Sequence, residues 1–287
     1  MPNLRMIRRR INAVQNIQQV TRAMRMIAAS RMKKAQEAIM QTRPYARRLE
    51  VLMRHMASRV PQEEHPLLAV REIRRATLVV VTGDRGLCRG FNANVIRRAA
   101  ERYEALANQG ADCEIITVGR KAYDYFRRRE RRILHHHVGI FQHLNFSHAQ
   151  AIARQATERY ERVETDLVEI VYNEFKSVLQ QTLVAKHFLP LEPVEPADEG
   201  HFVDYIYEPS KEAIWTDLVG KYVNLELWRV LLESNAAEQA ARMTAMEEAT
   251  KNAEEMIKQL ISVRNKVRQT SITTELSDIV GAAEALG

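Results

Sequence analysis

The sequence predicts an α/β domain flanked by two long helices that pair as an antiparallel coiled coil. Residues 3–43 contain neither Pro nor Gly, and residues 211–287 contain no Pro, so each segment allows an unusually long helix. Between them, short apolar runs alternate with helical stretches, which is typical of a sheet with crossover helices. We therefore expect an N-terminal coiled-coil helix in 1–59, an α/β domain in 75–205 and a C-terminal coiled-coil helix in 211–287.

The N-terminal segment carries apolar residues at alternating steps of three and four, the spacing of a coiled-coil seam. One extra step of three interrupts the alternation after Val14, so we expect one local phase slip. Pro44 interrupts the pattern, which resumes over Tyr45–Ala57. The predicted seam consists of Leu4, Ile7, Ile11, Val14, Ile17, Val20, Met24 and Ile27.

The middle of the chain contains four apolar runs with the length and β-branched composition of buried strands. Helical stretches separate the first two runs and precede the third. This alternation predicts a partly parallel sheet with crossover helices, which is a Rossmann-like arrangement. The runs are Ala76–Thr82, Cys113–Gly119, Asp166–Phe175 and Ser177–Leu191.

The C-terminal helix is predicted to be longer than its partner. A loose seam with steps of three and four runs from Leu218 to Val267. If the helices span about 2–58 and 211–286, the second is longer by about 19 residues, or roughly 28 Å at 1.5 Å per residue. We therefore expect an overhang that begins near Arg268.

The overhang has its own apolar stripe, one position out of register with the seam, and it contains no Lys or Arg after Arg268. A lone helix with such a stripe is not stable in water by itself. We therefore interpret it as a helix tip enclosed by another protein. The stripe consists of Ile272, Leu276, Ile279, Val280, Ala283 and Leu286.

Charge is unevenly distributed along the chain, whose net charge is +7. Residues 1–59 hold 14 Lys and Arg against two Glu, whereas residues 211–287 hold 9 basic and 12 acidic residues. Arg264, Lys266 and Arg268 lie just before the tip, and a basic cluster at residues 5–10 is expected beside them. Such a stripe fits an acidic protein surface, and it also leaves open a coiled-coil nucleic-acid-binding protein.

Motifs for catalysis or metal binding are weak. The loop "VTGDRGLCRGFN" follows a strand, but its glycines match neither common phosphate-binding pattern. Adjacent histidines in His135–His137 would point to opposite faces of a strand, so they do not converge on a metal. Cys88 has no marked His or Asp partner, and two cysteines form no disulfide framework. We predict no catalytic residue, no metal site and no membrane span.

The chain resembles the γ subunit of bacterial-type rotary ATP synthases over essentially its whole length. The resemblance rests on "IRRRINAVQNIQQVTRAMRMIAASRMKKAQ", "DRGLCRGFN", "YIYEP", "EQAARMTAMEEATKNAEEMI" and "RNKVRQTSITTELSDIVGAAEAL". It implies a non-catalytic central rotor shaft that couples proton flow to ATP synthesis or hydrolysis at the catalytic β subunits. Within "DRGLCRGFN", the family often has Gly at the position where this chain has Arg89.

The resemblance also implies roles for individual residues. Arg268, Gln269 and Thr273 would contact a catch loop of the β subunit. Met24, Arg242, Glu275 and Asp278 would belong to the coupling region. Tyr205, Tyr207 and Glu208 would form a foot on the c ring and the ε subunit.

Partners and location follow from the same resemblance. We expect one copy of the chain per complex, with an α3β3 hexamer, an ε subunit and a ring of c subunits as partners and no nucleic acid. The chain would hold no cofactor itself, because ATP, ADP and Mg²⁺ would bind to the α and β subunits. It would lie at the cytoplasmic face of a bacterial inner membrane, as a peripheral subunit.

Overall fold

The computed structural model describes residues 4–57, 60–61, 65–178, 180–193, 207–208 and 210–286, and for 278 and 281–286 the backbone only. Five helices and five strands occur in this part of the chain, with a short 3₁₀ turn at Ile140–Gln142. In chain order they are α1 (Leu4–Ala57), β1 (Arg75–Val81), α2 (Phe91–Asn108), β2 (Asp112–Val118), α3 (Arg120–Arg127), β3 (Ile133–His137), α4 (Phe146–Glu161), β4 (Leu167–Phe175), β5 (Gln181–Leu189) and α5 (Lys211–Leu286).

The chain divides into two compact units. The two-helix unit consists of Met1–Ala29 and Arg242–Gly287, and the α/β unit consists of Ser30–Ala241. The fold class predicted from the sequence is confirmed, since long N- and C-terminal helices accompany a central α/β sheet. The domain limits 1–59, 75–205 and 211–287 stay a prediction.

The sheet of the α/β unit has the order β3-β2-β1-β4-β5. The first four strands are parallel, and β5 pairs antiparallel with β4. A partly parallel sheet is therefore confirmed. Strand β3 is not among the predicted strands. Its sequence, "ILHHH", has only two apolar residues followed by three histidines, so it is not an apolar run.

Both faces of the sheet are covered by helices, which explains why six consecutive residues are buried in β1 and in β2. Leu78 and Val80 point to the face covered by α2 and α3, where Val95, Ala99 and Phe126 are buried. Val79 and Val81 point to the other face. There the core is formed with α4 and with the parts of α1 and α5 in this unit, through Leu49, Met53, Ile152, Trp215 and Leu227.

Helix α1 continues through Pro44, so the predicted interruption at this residue is wrong. Proline removes one backbone donor from the helix ladder, which usually costs about 3 kcal/mol in a helix interior. Downstream of Pro44, Leu49, Met53 and Met56 bury their side chains in the core of the α/β unit. This packing offsets the missing hydrogen bond and keeps the helix continuous.

The predicted phase slip of α1 is also wrong. Ile17, Val20 and Ile27 are more than half exposed, while Thr21 and Ala28 are buried. The inward-facing positions thus continue without a slip through Val14, Thr21 and Ala28, at exact heptad spacing. The sequence pattern misled because three large apolar residues lie one position before the inward-facing sites.

No helix in the described part of the chain combines the length and apolar character needed to cross a bilayer. Within the same residues, no group of three or more His, Cys, Asp or Glu side chains is placed to hold a metal ion. The histidines of β3 instead make separate contacts, for example His137 Nε2 with Gln155 Oε1 at 2.9 Å.

Candidate functional site

The two-helix unit has an antiparallel register that two side-chain contacts fix. The Oγ1 atoms of Thr21 and Thr250 lie 2.8 Å apart and share a hydrogen bond across the seam. About one helical turn further along, Arg25 Nη1 lies 3.9 Å from Glu247 Oε1. As residue numbers rise on one helix they fall on the other, which is the antiparallel pairing expected from the sequence.

The Thr21–Thr250 pair explains why a polar residue occupies the seam. A buried hydroxyl without a partner would destabilise the unit, whereas two facing hydroxyls satisfy each other. Each side chain can also donate to its own helix, Thr21 to the Gln18 carbonyl at 3.0 Å and Thr250 to the Met246 carbonyl at 2.7 Å. Thr250 falls on the predicted seam from Leu218 to Val267, at steps of three and four residues, whereas Thr21 is not among the predicted seam residues of α1.

The same register shows where α5 leaves its partner helix. Moving 17 residues back from Thr21 reaches Leu4, and moving 17 residues on from Thr250 reaches Val267. Leu4 and Val267 are both half-buried, and every side chain described after Val267 is exposed. The burial pattern therefore agrees with an overhang that begins at Arg268.

The apolar stripe of this tip is exposed. Ile272, Leu276, Ile279 and Val280 are each between 49% and 65% exposed. They recur at steps of four, three and one, so they share one face of the helix. The side chains of Ala283 and Leu286, which complete the predicted stripe, lie outside those that the structure describes.

The three residues assigned to the catch-loop contact also lie on this tip. Arg268, Gln269 and Thr273 are exposed, and the Thr273 hydroxyl donates to the Gln269 carbonyl at 3.0 Å. Within the described residues, neither the Arg268 guanidinium nor the Gln269 side chain has a hydrogen-bond or ion-pair partner. Both are therefore available to another molecule.

The residues assigned to the coupling region are spread along the two-helix unit. Met24 is half-buried beside Arg25, and Arg242 is buried at the start of the α5 segment in this unit. Glu275 is exposed on the tip, and the side chain of Asp278 is not among those described. The structure thus does not gather these four residues into one cluster.

The foot residues are described only in part. Tyr205 lies outside the described residues, and Glu208 is exposed. Tyr207 packs against the larger core of the α/β unit, and Lys211 Nζ lies 5.2 Å from the centre of its ring. Among the described residues, the buried hydroxyl of Tyr207 has no hydrogen-bond partner. Of the three predicted foot residues, Glu208 is thus the one that the structure describes as exposed.

A charged cluster fastens α5 to the sheet within the α/β unit. Glu226 accepts hydrogen bonds from Lys186 of β5 at 2.5 Å and from Arg229 at 2.6 Å. Burial opposes the ionised form of Glu226, but the two cations outweigh it and lower its pKa. Glu233 lies two turns beyond Glu226. Burial raises its pKa, and it accepts a hydrogen bond from the Tyr172 hydroxyl at 3.3 Å.

The loop after β1, residues 82–90, is tightly structured. The Gly83 amide donates to Asn92 Oδ1 at 2.8 Å, and Asn92 Nδ2 donates to the Arg85 carbonyl at 3.0 Å. Asp84 Oδ1 accepts from the amides of Arg120 and Gly139, both at 3.0 Å. Arg89 has a positive φ of 49°, a conformation that glycine adopts more easily.

The described loop does not have the form of a phosphate cradle. Its Asp84 carboxylate, which would repel phosphate, takes the amide donors at the starts of α3 and the 3₁₀ turn. Cys88 is buried and contacts Asn92 Nδ2 through its sulfur at 3.2 Å. These polar groups of the loop thus form hydrogen bonds with other residues of the same chain.

Comparison with known proteins gives a consistent family. The family model described as ATP synthase matches residues 3–286. An ATP synthase gamma chain from Pelotomaculum thermopropionicum is 46% identical over 286 residues, covering 100% of both chains. One from Prosthecochloris aestuarii is 47% identical over 290 residues, covering 100% of this chain and 99% of that one.

Solved structures agree with the fold. A central stalk and c-ring structure of the Tetrahymena thermophila mitochondrial ATP synthase matches with a TM-score of 0.60 and 25% identity, covering 80% of this chain and 99% of that one. A Euglena gracilis mitochondrial ATP synthase structure matches with a TM-score of 0.67 and 20% identity, covering 99% and 94%.

These matches decide between the two classes that the sequence left open. They extend over both long helices and the α/β unit, so the basic N-terminal segment belongs to the matched region. Nothing in them supports the nucleic-acid-binding alternative. The chain belongs to the family of ATP synthase gamma chains, the non-catalytic central-stalk subunits of rotary ATP synthases.

Proposed function

We propose that this chain is the central rotor shaft of a proton-translocating ATP synthase and that its α5 tip turns inside a hexamer of three α and three β subunits. The observation that carries the proposal is the run of exposed side chains after Val267. An apolar stripe that is exposed within the described part of the chain is best stabilised by an enclosing apolar surface.

A single shaft inside a ring of three catalytic subunits has a simple energetic consequence. The shaft has no threefold symmetry, so at any angle it presents a different face to each β subunit. Each face makes different contacts, and the three nucleotide sites therefore have different affinities. Turning the shaft exchanges these affinities, which is a coupling free energy between rotor angle and nucleotide binding.

Arg268, Gln269 and Thr273 are proposed to form the polar contact with the β catch loop. Arg268 and Gln269 are exposed at the point where the pairing with α1 ends. A guanidinium in this position can bind a carboxylate with two parallel hydrogen bonds, which holds both distance and direction. Met24, Arg242, Glu275 and Asp278 are proposed to tune the same coupling.

The α/β unit is proposed to contact the ring of c subunits and the ε subunit through Tyr205, Tyr207 and Glu208. The exposure of Glu208 supports this proposal, because its carboxylate is accessible to a neighbouring subunit. The chain is proposed to be present in one copy, at the cytoplasmic face of a bacterial inner membrane. Nucleotide and Mg²⁺ are proposed to bind only to the α and β subunits.

The test is a purification of the complex from cells in which this chain carries an affinity tag. We expect the three α and three β subunits and the c ring to copurify with one copy of the chain. We also expect that removing the chain abolishes ATP-driven proton pumping in membrane vesicles. Several copies per hexamer, or pumping that persists without the chain, would contradict the proposal.

A further inference from the structure

The carboxyl ends of β1 and β4 meet where the strand order of the sheet reverses. From β1 the chain proceeds to β2 and β3 on one side, while β4 and β5 lie on the other. In open sheets of this kind, this position forms the crevice in which ligands bind. Here α5 of the same chain occupies it, since Ala237 and Ala241 pack against Cys88, Phe91 and Phe175.

Helix α5 is enclosed at this position. Each of the six residues Ala236–Ala241 is buried, and six consecutive residues cover more than one full turn. A surface helix normally buries one stripe only. Four of the six residues are alanines, and one of the other two is the acidic residue Glu238, which is 4% exposed.

The Glu238 carboxyl group is seated against Gly83. A Cβ atom added at Gly83 would lie 2.6 Å from the carboxyl carbon and 2.6 Å from one oxygen of Glu238, closer than side chains tolerate. Gly83 itself is held by the hydrogen bond of its amide to Asn92 Oδ1 at 2.8 Å. The loop therefore presents a fixed surface that only glycine leaves open for the carboxyl group.

We propose that the Glu238 side chain, seated in a socket beside Gly83, prevents α5 from moving relative to the sheet. Torque then passes between α5 and the α/β unit through this contact. The proposal rests on the rotor function proposed above. Alanine side chains are short and resist rotation of a helix about its axis only weakly. A longer side chain seated in a rigid loop blocks both rotation and sliding.

This role also explains the glycine-rich loop that sequence patterns left without a function. The loop lies at a strand-to-helix turn, where nucleotide-binding sheets of related topology hold a phosphate. In this chain the carboxyl group of Glu238 fills the space beside Gly83. Glu238 is thus a positioning residue, which acts through the attachment of α5 and touches no nucleotide.

The test uses the whole complex in membrane vesicles and measures proton pumping per ATP hydrolysed. Gly83→Ala displaces the Glu238 carboxyl group from its place beside residue 83. We expect the number of protons pumped per ATP to fall about threefold, which lies within the range of interaction energies between residues in contact. Gly86→Ala is the matched control, because nothing lies within 4 Å of a Cβ at Gly86. We expect this control to pump like the unmodified chain.

A double-mutant cycle shows whether the two residues act together. Glu238→Ala should lower the ratio as Gly83→Ala does, and the double variant should be no worse than Glu238→Ala alone. Glu238→Gln, which keeps the length of the side chain, should retain most of the proton pumping per ATP hydrolysed. The amount of assembled complex and its hydrolysis rate, measured in parallel, separate loss of coupling from loss of folding.

Two results would overturn the socket. One is a Gly83→Ala complex that pumps as well as Gly86→Ala, and the other is a double variant in which the two effects simply add. Both leave the rotor function intact, provided the unmodified chain supports pumping. If the unmodified chain itself fails to support pumping, the proposed rotor function is wrong, and the proposed role of Gly83 and Glu238 is wrong as well.

Discussion

At the scale of single residues, Arg268 and Gln269 separate function from stability most clearly. Both side chains are exposed and have no partner among the described residues, so replacing them removes no hydrogen bond or ion pair from the described part of the chain. We expect Arg268→Ala with Gln269→Ala to leave the urea unfolding of the chain unchanged. ATP synthesis by the complex should fall about tenfold, since one charge-assisted hydrogen bond contributes roughly 1.5–3 kcal/mol.

The control for this variant is Lys251→Ala with Asn252→Ala, an exposed pair on the same helix in the region paired with α1. It also removes a cation and an amide, together with the exposed ion pair between Lys251 and Glu247 at 3.7 Å, from a region that is not part of the tip. If proton-driven synthesis stayed at full rate in the Arg268 and Gln269 variant, the catch-loop assignment would be wrong.

His65 provides a residue-scale prediction on pH. Burial lowers the pKa of His65 from its ordinary value of 6.5, and Nδ1 accepts a hydrogen bond from the Leu67 amide at 3.2 Å. The unfolded chain therefore binds the proton more tightly than the folded chain. Stability is retained above pH 6.5 and decreases as the pH falls from 6.5 towards the lowered pKa.

The variant His65→Asn keeps an acceptor near the Leu67 amide and removes the titrating group. We expect its free energy of unfolding to change less across this pH range than that of the unmodified chain. Some dependence remains, because burial also lowers the pKa of His137. An equal or steeper loss of stability in the variant would contradict this interpretation.

Residue patterns alone did not predict the inward face of α1, and the reason is physical. Ile17 and Ile27 are larger and more apolar than Thr21 and Ala28, yet the first two are exposed and the last two are buried. The choice depends on the partner helix, where Thr250 supplies a hydroxyl opposite Thr21. A pattern within one helix contains no information on that match.

At the scale of elements, the uninterrupted heptad of α1 can be tested by two substitutions. Ala28 has no exposed surface, so Ala28→Leu overfills the seam and should destabilise the unit by roughly 1–3 kcal/mol. Ile27 is 55% exposed, so Ile27→Ala should change stability by no more than about 0.5 kcal/mol.

Urea unfolding of the purified chain, followed by the circular dichroism of its helices, measures both effects. The two residues are neighbours, so the pair of variants distinguishes one register from the other. With the phase slip predicted from sequence, Ile27 would lie in the seam, and its truncation would cost roughly 2–5 kcal/mol. A larger loss for Ile27→Ala than for Ala28→Leu would therefore contradict the structure.

Strands and helices with a strong pattern could be predicted from the sequence, and those without one could not. Strands β1, β2 and β4 are apolar on both faces because helices cover the sheet on both sides. Strand β3 lies at an edge and is only partly buried, so its histidines carry no apolar signal. The sequence predicts an interruption at Pro44 because the packing of Leu49 and Met53 depends on the three-dimensional structure.

At the scale of the whole chain, the unequal lengths of the two long helices predicted the overhang. Helix α1 has 54 residues and α5 has 76, and the exposed run begins after Val267. The socket at Gly83 and Glu238 could not be predicted in this way. It joins residues that are 155 positions apart and depends on a close approach of backbone to side chain.

The central claim is that this chain turns inside a catalytic hexamer. Its most direct test fixes the hexamer to a surface and attaches a bead to Arg128→Cys. Residue 128 is exposed, while the native Cys88 and Cys113 are buried and do not compete for the label. With ATP, the account predicts rotation in one direction, with about three pauses per turn set by the three catalytic subunits. ATP hydrolysis by the assembled complex without rotation of the bead would contradict it.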